Sequence, residues 1–418
     1  MEKGIKSSVK FFADDTSLFS IVTDPILSAT ELNHDLRLIE DWAFQWKMSF
    51  NPDPSKQAIE MLFSQKKKKT VHPHLYFNNQ IVRNVTDHKH LGLVLDSKLT
   101  FTKHINEKIG IARKGIGMIK FLSRYVPLNT LNQIYKMYIR PHLDYCDVIY
   151  HIPSKLNPFE SSENLNCTMQ LIESTQYQAA LAVSGTWKGT NKKKLYNELG
   201  WESLDNRRNS RRLCQFYKIY NNLTPVYLKT PIPAPKQYSH LRTNKPLNVM
   251  KCRTCKFSNS FYPDSVSVWN DTSDTIRNIT SVTKFKSTLF NIIRPKPRPI
   301  FGIHDPKNIR ILLQLRVGLS PLKHHKKCHK FQDTPSEICD CGLEAEDTIH
   351  FFTKCIFFTN FRTSLNQKTA NLLSHLLPLT PSELSSIFLY GSSQLSNTQN
   401  QYILKASIEF INDTGRFN

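Results

Sequence analysis

Phe11-Phe12-Ala13-Asp14-Asp15-Thr16-Ser17-Leu18-Phe19 sets two adjacent carboxylates between two short apolar arms. Asp favours turns, and aromatic and aliphatic arms suit strands. The stretch therefore predicts a β-hairpin with Asp14 and Asp15 at its tight turn. Neighbouring carboxylates repel one another unless a cation sits between them. Mg²⁺ is the natural candidate, because one or two carboxylates hold it together with substrate phosphates. Metals held this way stabilise the attacking and leaving oxygens of phosphoryl transfer. An ordinary solvated turn is the alternative, and Asp-Asp by itself favours it.

Working outward, Ser28-Ala29-Thr30-Glu31 reads as a capping box that opens a helix. Leu32, Leu36, Ile39, Ala43 and Trp46 then recur at spacings of three and four, a single core face. The prolines of Asn51-Pro52-Asp53-Pro54 end that helix. Lys56 follows, then a strand over Ala58–Phe63. The lysines of Lys66–Lys69 read as a solvated loop. Leu75–Val85 and Lys89–Leu95 predict further strands, with Gly92 in the second marking a bulge or a close backbone approach.

From Lys103 the period becomes helical. Ile105, Ile109, Ala112, Ile116 and Ile119 form one stripe, with Lys108, Arg113, Lys114 and Lys120 around it. A second helix is predicted from Asn129 to Arg140, stopping at Pro141, and a third over Gln170–Val183. Arg207, Arg208, Arg211 and Arg212 put four guanidinium groups within six residues. Phosphate binding is the functional reading, because guanidinium forks pair with phosphate bidentately. Salt bridges to Glu198 or Glu202 are the structural alternative. Residues 223–248 are rich in prolines and polar residues and read as an extended linker. Cys252 and Cys255 have metal-like spacing but no adjacent second pair, so two reduced thiols in a loop are expected.

Cys339-x-Cys341, His350 and Cys355 offer three thiols and one imidazole, the donor set of a closed Zn²⁺ tetrahedron. Gly342 permits the tight turn after the close pair. Cys328 and His329 are alternative ligands, and buried thiols beside a hydrogen-bonded histidine are the bland reading.

The 418 residues carry 56 Lys+Arg against 34 Asp+Glu, a net charge of +22, which favours a polyanionic partner. No apolar run is long enough for a transmembrane helix, and the N-terminal residues do not read as a signal peptide, so no membrane partner and an intracellular location are expected. Nine cysteines without a secretory signal suit reduced thiols and one metal site better than a disulfide framework.

Several of these stretches resemble the reverse transcriptases of non-LTR retrotransposons, in the jockey-like group. The likeness runs over nearly the whole chain. It is carried by the Asp14-Asp15 hairpin, by His90-Leu91-Gly92-Leu93-Val94-Leu95-Asp96 (similar to a primer grip), and by the thumb-like Ile139-Arg140-Pro141-His142-Leu143-Asp144-Tyr145-Cys146. Leu199-Gly200-Trp201-Glu202-Ser203-Leu204, Leu315-Arg316-Val317-Gly318-Leu319-Ser320 and Asp347-Thr348-Ile349-His350-Phe351-Phe352 extend it. The resemblance implies an α+β fold in four parts: a partial polymerase palm over 1–101, a helical thumb-like region over 102–222, a linker or connection over 223–310, and a cysteine–histidine module with a helical tail over 311–418. It implies Mg²⁺ at Asp14 and Asp15, with Lys56 assisting proton transfer to the leaving pyrophosphate. RNA template, DNA primer or target, and deoxynucleoside triphosphates would be the partners. A palm also needs a further Asp and a fingers region, and neither fits in the ten residues before the hairpin. The expectation is thus an RNA-directed DNA polymerase truncated at its N-terminus and inactive alone. The alternative is a non-catalytic nucleic-acid-binding protein of the same origin.

Overall fold

Ser8–Phe12 (β1) and Asp15–Phe19 (β2) pair antiparallel, with Phe12 opposite Asp15 and Val9 opposite Leu18. A computed structural model describes residues 4–51, 53, 58–66, 71–152, 163–235, 246–293, 299–303, 305–306 and 308–417 of this chain. It divides into two units, Met1–His104 and Ile105–Asn418.

In the first unit, a helix over Pro25–Gln45 (α1) starts earlier than the Ser28 capping box predicts. Asp24 is the cap: its carboxylate accepts from the N–H groups of Ile26 and Leu27, and Pro25 sits in the first turn, where its missing N–H costs nothing. Ser28 is instead buried inside the helix. Ala29, Leu36 and Ile39 pack on Leu75, Phe77 and Val82, whereas Trp46 caps the helix end and is exposed. Asp35, fully buried on α1, accepts from the N–H groups of Lys6 and Ser7 and so ties the start of β1 to the helix.

The long strands expected after α1 are broken into short pieces. Tyr76–Phe77 (β4) turns back to Gln80–Ile81 (β5) through Asn78 and Asn79, both at positive φ. Ile59–Glu60 (β3) pairs in parallel with Arg83–Asn84 (β6). Asp87–His90 (β7) and Leu93–Asp96 (β8) form another hairpin. Gly92 is not inside a strand. With Leu91 it makes the two-residue turn, both at positive φ, a geometry that two-residue hairpins favour. Among the described residues the strands form four two-stranded sheets, not one continuous sheet.

The second unit is helical. Thr102–Leu122 (α2) crosses the boundary and buries Ile105, Ile109, Ala112, Ile116 and Ile119. Leu128–Ile134 (α3) continues into a π-helical turn, Tyr135–Ile139, and then Arg140–Asp144 (α4). Pro141 does not stop the chain: the wide turn shifts the hydrogen-bond register, and Pro141 falls in the first turn of α4. Asp147–Tyr150 (α5), Glu163–Ser184 (α6), Lys192–Leu199 (α7) and Leu204–Tyr220 (α8) follow. Tyr135 stacks on Trp201 at 3.7 Å between centroids, and Trp201 donates to Asn132.

The expected linker departs most from its reading. Within 223–310, Phe261–Asp271 (α9) and Val282–Ile293 (α10) carry Trp269 and Phe285 into a core with Phe216 and Tyr217 of α8. Its four large rings bury enough apolar surface to order the segment. Asn308–Val317 (α11), Lys323–Cys328 (α12), Thr359–Leu373 (α13), Pro381–Tyr390 (α14) and Asn397–Asp413 (α15) complete the unit. Arg316 of α11 makes a buried ion pair with Glu198 of α7 at 3.0 Å, joining two stretches 118 residues apart in sequence. No helix among the described residues is long and apolar enough to cross a membrane.

Candidate metal centre

Cys339 and Cys341 lie on a minimal hairpin. Cys339 N–H donates to Glu344 C=O and Glu346 N–H to Glu337 C=O. Gly342, at φ +78°, closes the turn by donating to Cys339 C=O. His350 begins a π-helical turn, His350–Lys354, and Cys355 N–H donates to His350 C=O at 2.8 Å. This five-residue register swings Cys355 back beside His350. A single π turn is a recurrent device at functional sites. Phe351 and Phe352, between the two ligands, are fully buried against Phe388 of α14 and Phe410 of α15. They anchor the ligand-bearing turn to the helices beneath.

The ligand atoms of Cys339, Cys341, His350 and Cys355 all lie within 4.8 Å of one another. Cys339 Sγ is 3.8 Å from Cys355 Sγ, and Cys341 Sγ is 3.2 Å from His350 Nε2. Zn–S bonds of about 2.3 Å in a tetrahedron give sulfur–sulfur edges of about 3.8 Å, so the spacing fits zinc. It is too long for a disulfide. Burial pushes the Cys339 thiol up to about 12 and raises Cys355 as well. At Cys341 burial also acts upward, but the Leu343 N–H and the neighbouring thiols lower it. With Nε2 facing the thiols, His350 Nδ1 is buried without a hydrogen-bond partner among the described residues, and Glu344 stands 3.8 Å away. A carboxylate there suits the imidazole N–H of a metal-bound histidine. Among the described residues these four make the single such cluster.

The alternative ligands sit elsewhere. Cys328 Sγ is 3.6 Å from His324 Nε2, His324 faces Glu337, and His329 reaches Gly318 C=O. His325 is buried and meets Ser320 Oγ; burial drives its pKa down to about 4. Cys255 is exposed and Cys252 donates to Met250 C=O.

The Asp14-Asp15 pair is built differently. Ala13 and Asp14 make the turn, with Ala13 at φ +53°, and Asp15 opens β2 instead of sharing the turn. Both carboxylates are exposed, and they belong to no group of three potential metal ligands among the described residues. Lys56 lies outside the described residues.

The arginine cluster turns inward. Arg208 and Arg212 are each 2% exposed. Arg208 donates to Leu143 C=O; Arg212 donates to the carbonyls of His151 and Asn259 and pairs with Asp264. Arg207 and Arg211 reach Asp144, and Arg211 also meets Asp147 at 3.1 Å. The partners are therefore Asp144, Asp147 and Asp264. Glu198, a partner expected from proximity in sequence, is taken by Arg316. All four guanidinium groups are engaged within the protein, which leaves them poorly placed for phosphate.

No family model matches the chain. The RNA-directed DNA polymerase from mobile element jockey of Drosophila melanogaster is 26% identical to it over 149 residues. The protein of the same name from Drosophila funebris is 24% identical over 147 residues. Each match covers 34% of this chain and 16% of the relative. The chain thus contains a region similar to a retrotransposon RNA-directed DNA polymerase.

Sequence spacing did not point to Asp144 and Asp147 as the acceptors that hold the arginines. A signal existed: Arg208 and Arg212 share the i, i+4 stripe of Leu204 and Phe216, the buried face of α8.

Proposed function

We propose that this chain is a nucleic-acid-binding protein of the jockey-like reverse-transcriptase type, in which Cys339, Cys341, His350 and Cys355 hold one structural Zn²⁺. The observation that carries the reading is the four-ligand constellation, in a chain with a region similar to jockey polymerases. Four protein ligands leave no open position, so the zinc would order the turn and would not activate water. The net charge of +22 supports a polyanionic partner, RNA or DNA. Asp14 and Asp15 would serve as Mg²⁺ ligands, with substrate phosphates completing the shell.

The test is metal analysis of the full-length chain together with titration of labelled RNA and DNA at several salt concentrations. One zinc per chain is expected, lost in Cys339→Ser, with affinity falling steeply as salt rises. Zinc-free protein, or affinity indifferent to salt, would sink the reading. A primer-extension assay on an RNA template with Mg²⁺ separates its two forms. Extension abolished by Asp14→Ala assigns catalysis to the hairpin; binding without extension assigns the chain a binding role alone.

A further inference from the structure

α2 has two apolar faces. Ile105, Ile109, Ala112, Ile116 and Ile119 are buried, as a core stripe should be. Ile111, Met118, Phe121 and, one turn past the helix, Tyr125 form a second stripe at spacings of seven, three and four, and all four are exposed. Phe121 and Tyr125 are each 68% exposed, with ring centroids 5.9 Å apart. Large rings this exposed, side by side, mark an interaction surface more often than a stable solvent face.

The charge around the stripe is of one sign. Between Lys108 and Tyr125 the charged residues are Lys108, Arg113, Lys114, Lys120 and Arg124, with no acidic residue. Lys108 lies over the Tyr145 ring. Arg113, Lys114, Lys120 and Arg124 have no ion pair among the described residues, in contrast to the engaged arginines of α8. Arg310 of α11 adds a further cation at the same end. Its side chain passes over Gly185, where any Cβ would collide with it, and its guanidinium donates to Ser123 C=O, next to Arg124. Burial, and then the nearby Arg124, hold the Arg310 guanidinium below its ordinary value. Two cations kept together, with no carboxylate paired to either among the described residues, are a place for phosphate.

We infer that the end of α2 is a platform for unpaired polynucleotide, on which bases stack against Phe121 and Tyr125 while Arg124 and Arg310 take the flanking phosphates. This rests on the nucleic-acid-binding reading above and specifies which form is bound there. Exposed rings bordered by cations are how proteins hold single strands without reading sequence, since every base has a π-face. A base-paired duplex offers these rings little, because its bases are already stacked on one another.

The experiment uses the full-length, zinc-loaded chain and three labelled probes: oligo-rU, oligo-dT and a hairpin duplex of the same length. Vesicles containing phosphatidylserine provide a fourth arm. Phe121→Ala with Tyr125→Ala should weaken both single strands by about tenfold or more and leave duplex binding within about twofold. Tyr125→Phe should retain affinity, because the ring is kept. Arg124→Gln should reduce the slope of affinity against salt by about one unit. Photo-crosslinking of thiouridine-bearing oligonucleotide should map to residues 121–125, a readout independent of any folding defect in the variants. Equal loss on duplex and single strand, or no loss on either, overturns the platform while nucleic-acid binding stands. Loss confined to vesicles reassigns the face to a membrane surface and overturns it too. A wild-type chain that binds no probe overturns both this inference and the reading it rests on. Preference between oligo-rU and oligo-dT identifies which single strand is the ligand.

Discussion

The Asp14-Asp15 hairpin and the Cys339–Cys355 knuckle both place chemistry-bearing side chains at a two-stranded turn, yet they hold them in opposite ways. In the hairpin, Asp14 and Asp15 point to solvent, and Phe11, Phe12 and Phe19 are exposed beside them. Among the described residues, no third potential ligand joins the pair. In the knuckle, Cys339, His350 and Cys355 are buried, and the intervening Phe351 and Phe352 are locked between α14 and α15. The difference is one of preorganisation. The knuckle's ligands converge because its own packing places them. The hairpin's carboxylates need whatever binds there to complete a coordination shell.

The largest effect should come from removing the metal. Structural zinc sites in small peptides are worth about 10–16 kcal/mol of apparent binding free energy, and much of that is folding. Here the phenylalanine anchors would keep part of the order without metal. Chelation of the full-length chain should therefore erase amide protection over 337–346 and leave the buried face of α15, Ile403 to Ile411, protected. Hydrogen exchange with and without chelator reads this directly. Protection unchanged over 337–346 would mean that the thiols pack without metal, and the contrast with the hairpin would rest on packing alone.

A smaller effect should separate metal from foundation. Arg316 and Glu198 form an ion pair buried on both sides, and Arg316 also donates to Leu389 C=O of α14. Removing Glu198 takes away the carboxylate that faces the buried Arg316 guanidinium. Glu198→Ala should destabilise the second unit by about 3–5 kcal/mol in chemical denaturation. The native chain should still bind one zinc, because no ligand is touched. Loss of zinc at full native occupancy would show that the knuckle is not built independently of α7 and α11.

How much of this was legible follows from where the partners lie in sequence. The knuckle could be read because its ligands fall within seventeen residues and zinc accepts few donor sets. The stripe of α2 was legible from its period, and the structure buries every one of its five residues. The helix start at Asp24 was missed because Ser28–Glu31 matches a capping box one turn later, whereas Asp24 caps with its own carboxylate and no Glu or Gln three residues on, and Ser28 is buried inside the helix. The inward arginines were not legible from charge. Asp144, which Arg207 reaches, lies 63 residues away, and no local rule links them. The connection segment looked like a linker because prolines dominate its first part, while its core residues, Trp269 and Phe285, meet partners on α8.

The contrast between buried and solvated sites can be repeated on single carboxylates. Asp147 is fully buried beside Arg211, and burial outweighs that cation and raises its pKa from 3.8 to about 6. The folded chain then keeps a proton on Asp147 that the unfolded chain releases at lower pH. A raised carboxyl contributes stability that is present below the unfolded value and is lost as pH rises through the folded one. Stability should thus fall between about pH 4 and 6, by roughly 3 kcal/mol from this group. Asp147→Asn should remove that part of the pH dependence. A variant with the wild-type slope would show that Arg211 keeps Asp147 ionised throughout.

The smallest effect belongs to the hairpin, and it makes the comparison sharpest. Asp14 and Asp15 are exposed, and among the described residues no side-chain hydrogen bond of either supports the turn, whose shape comes from the β1–β2 register and Ala13. Surface substitutions away from caps and networks usually change stability by less than about 0.5 kcal/mol. Asp14→Asn and Asp15→Asn should stay within that range. Their sign should be slightly stabilising at low salt, because each relieves repulsion between adjacent carboxylates, and the gain should fade as salt screens it. The same substitutions should lower Mg²⁺ binding in the presence of a deoxynucleoside triphosphate, since carboxylates and substrate phosphates share that ion. Thermal unfolding and Mg²⁺ titration of each variant measure the two quantities separately. A loss above about 1 kcal/mol would make the pair a structural element after all. Unchanged stability with weakened Mg²⁺ binding would leave the two carboxylates no role except holding the ion.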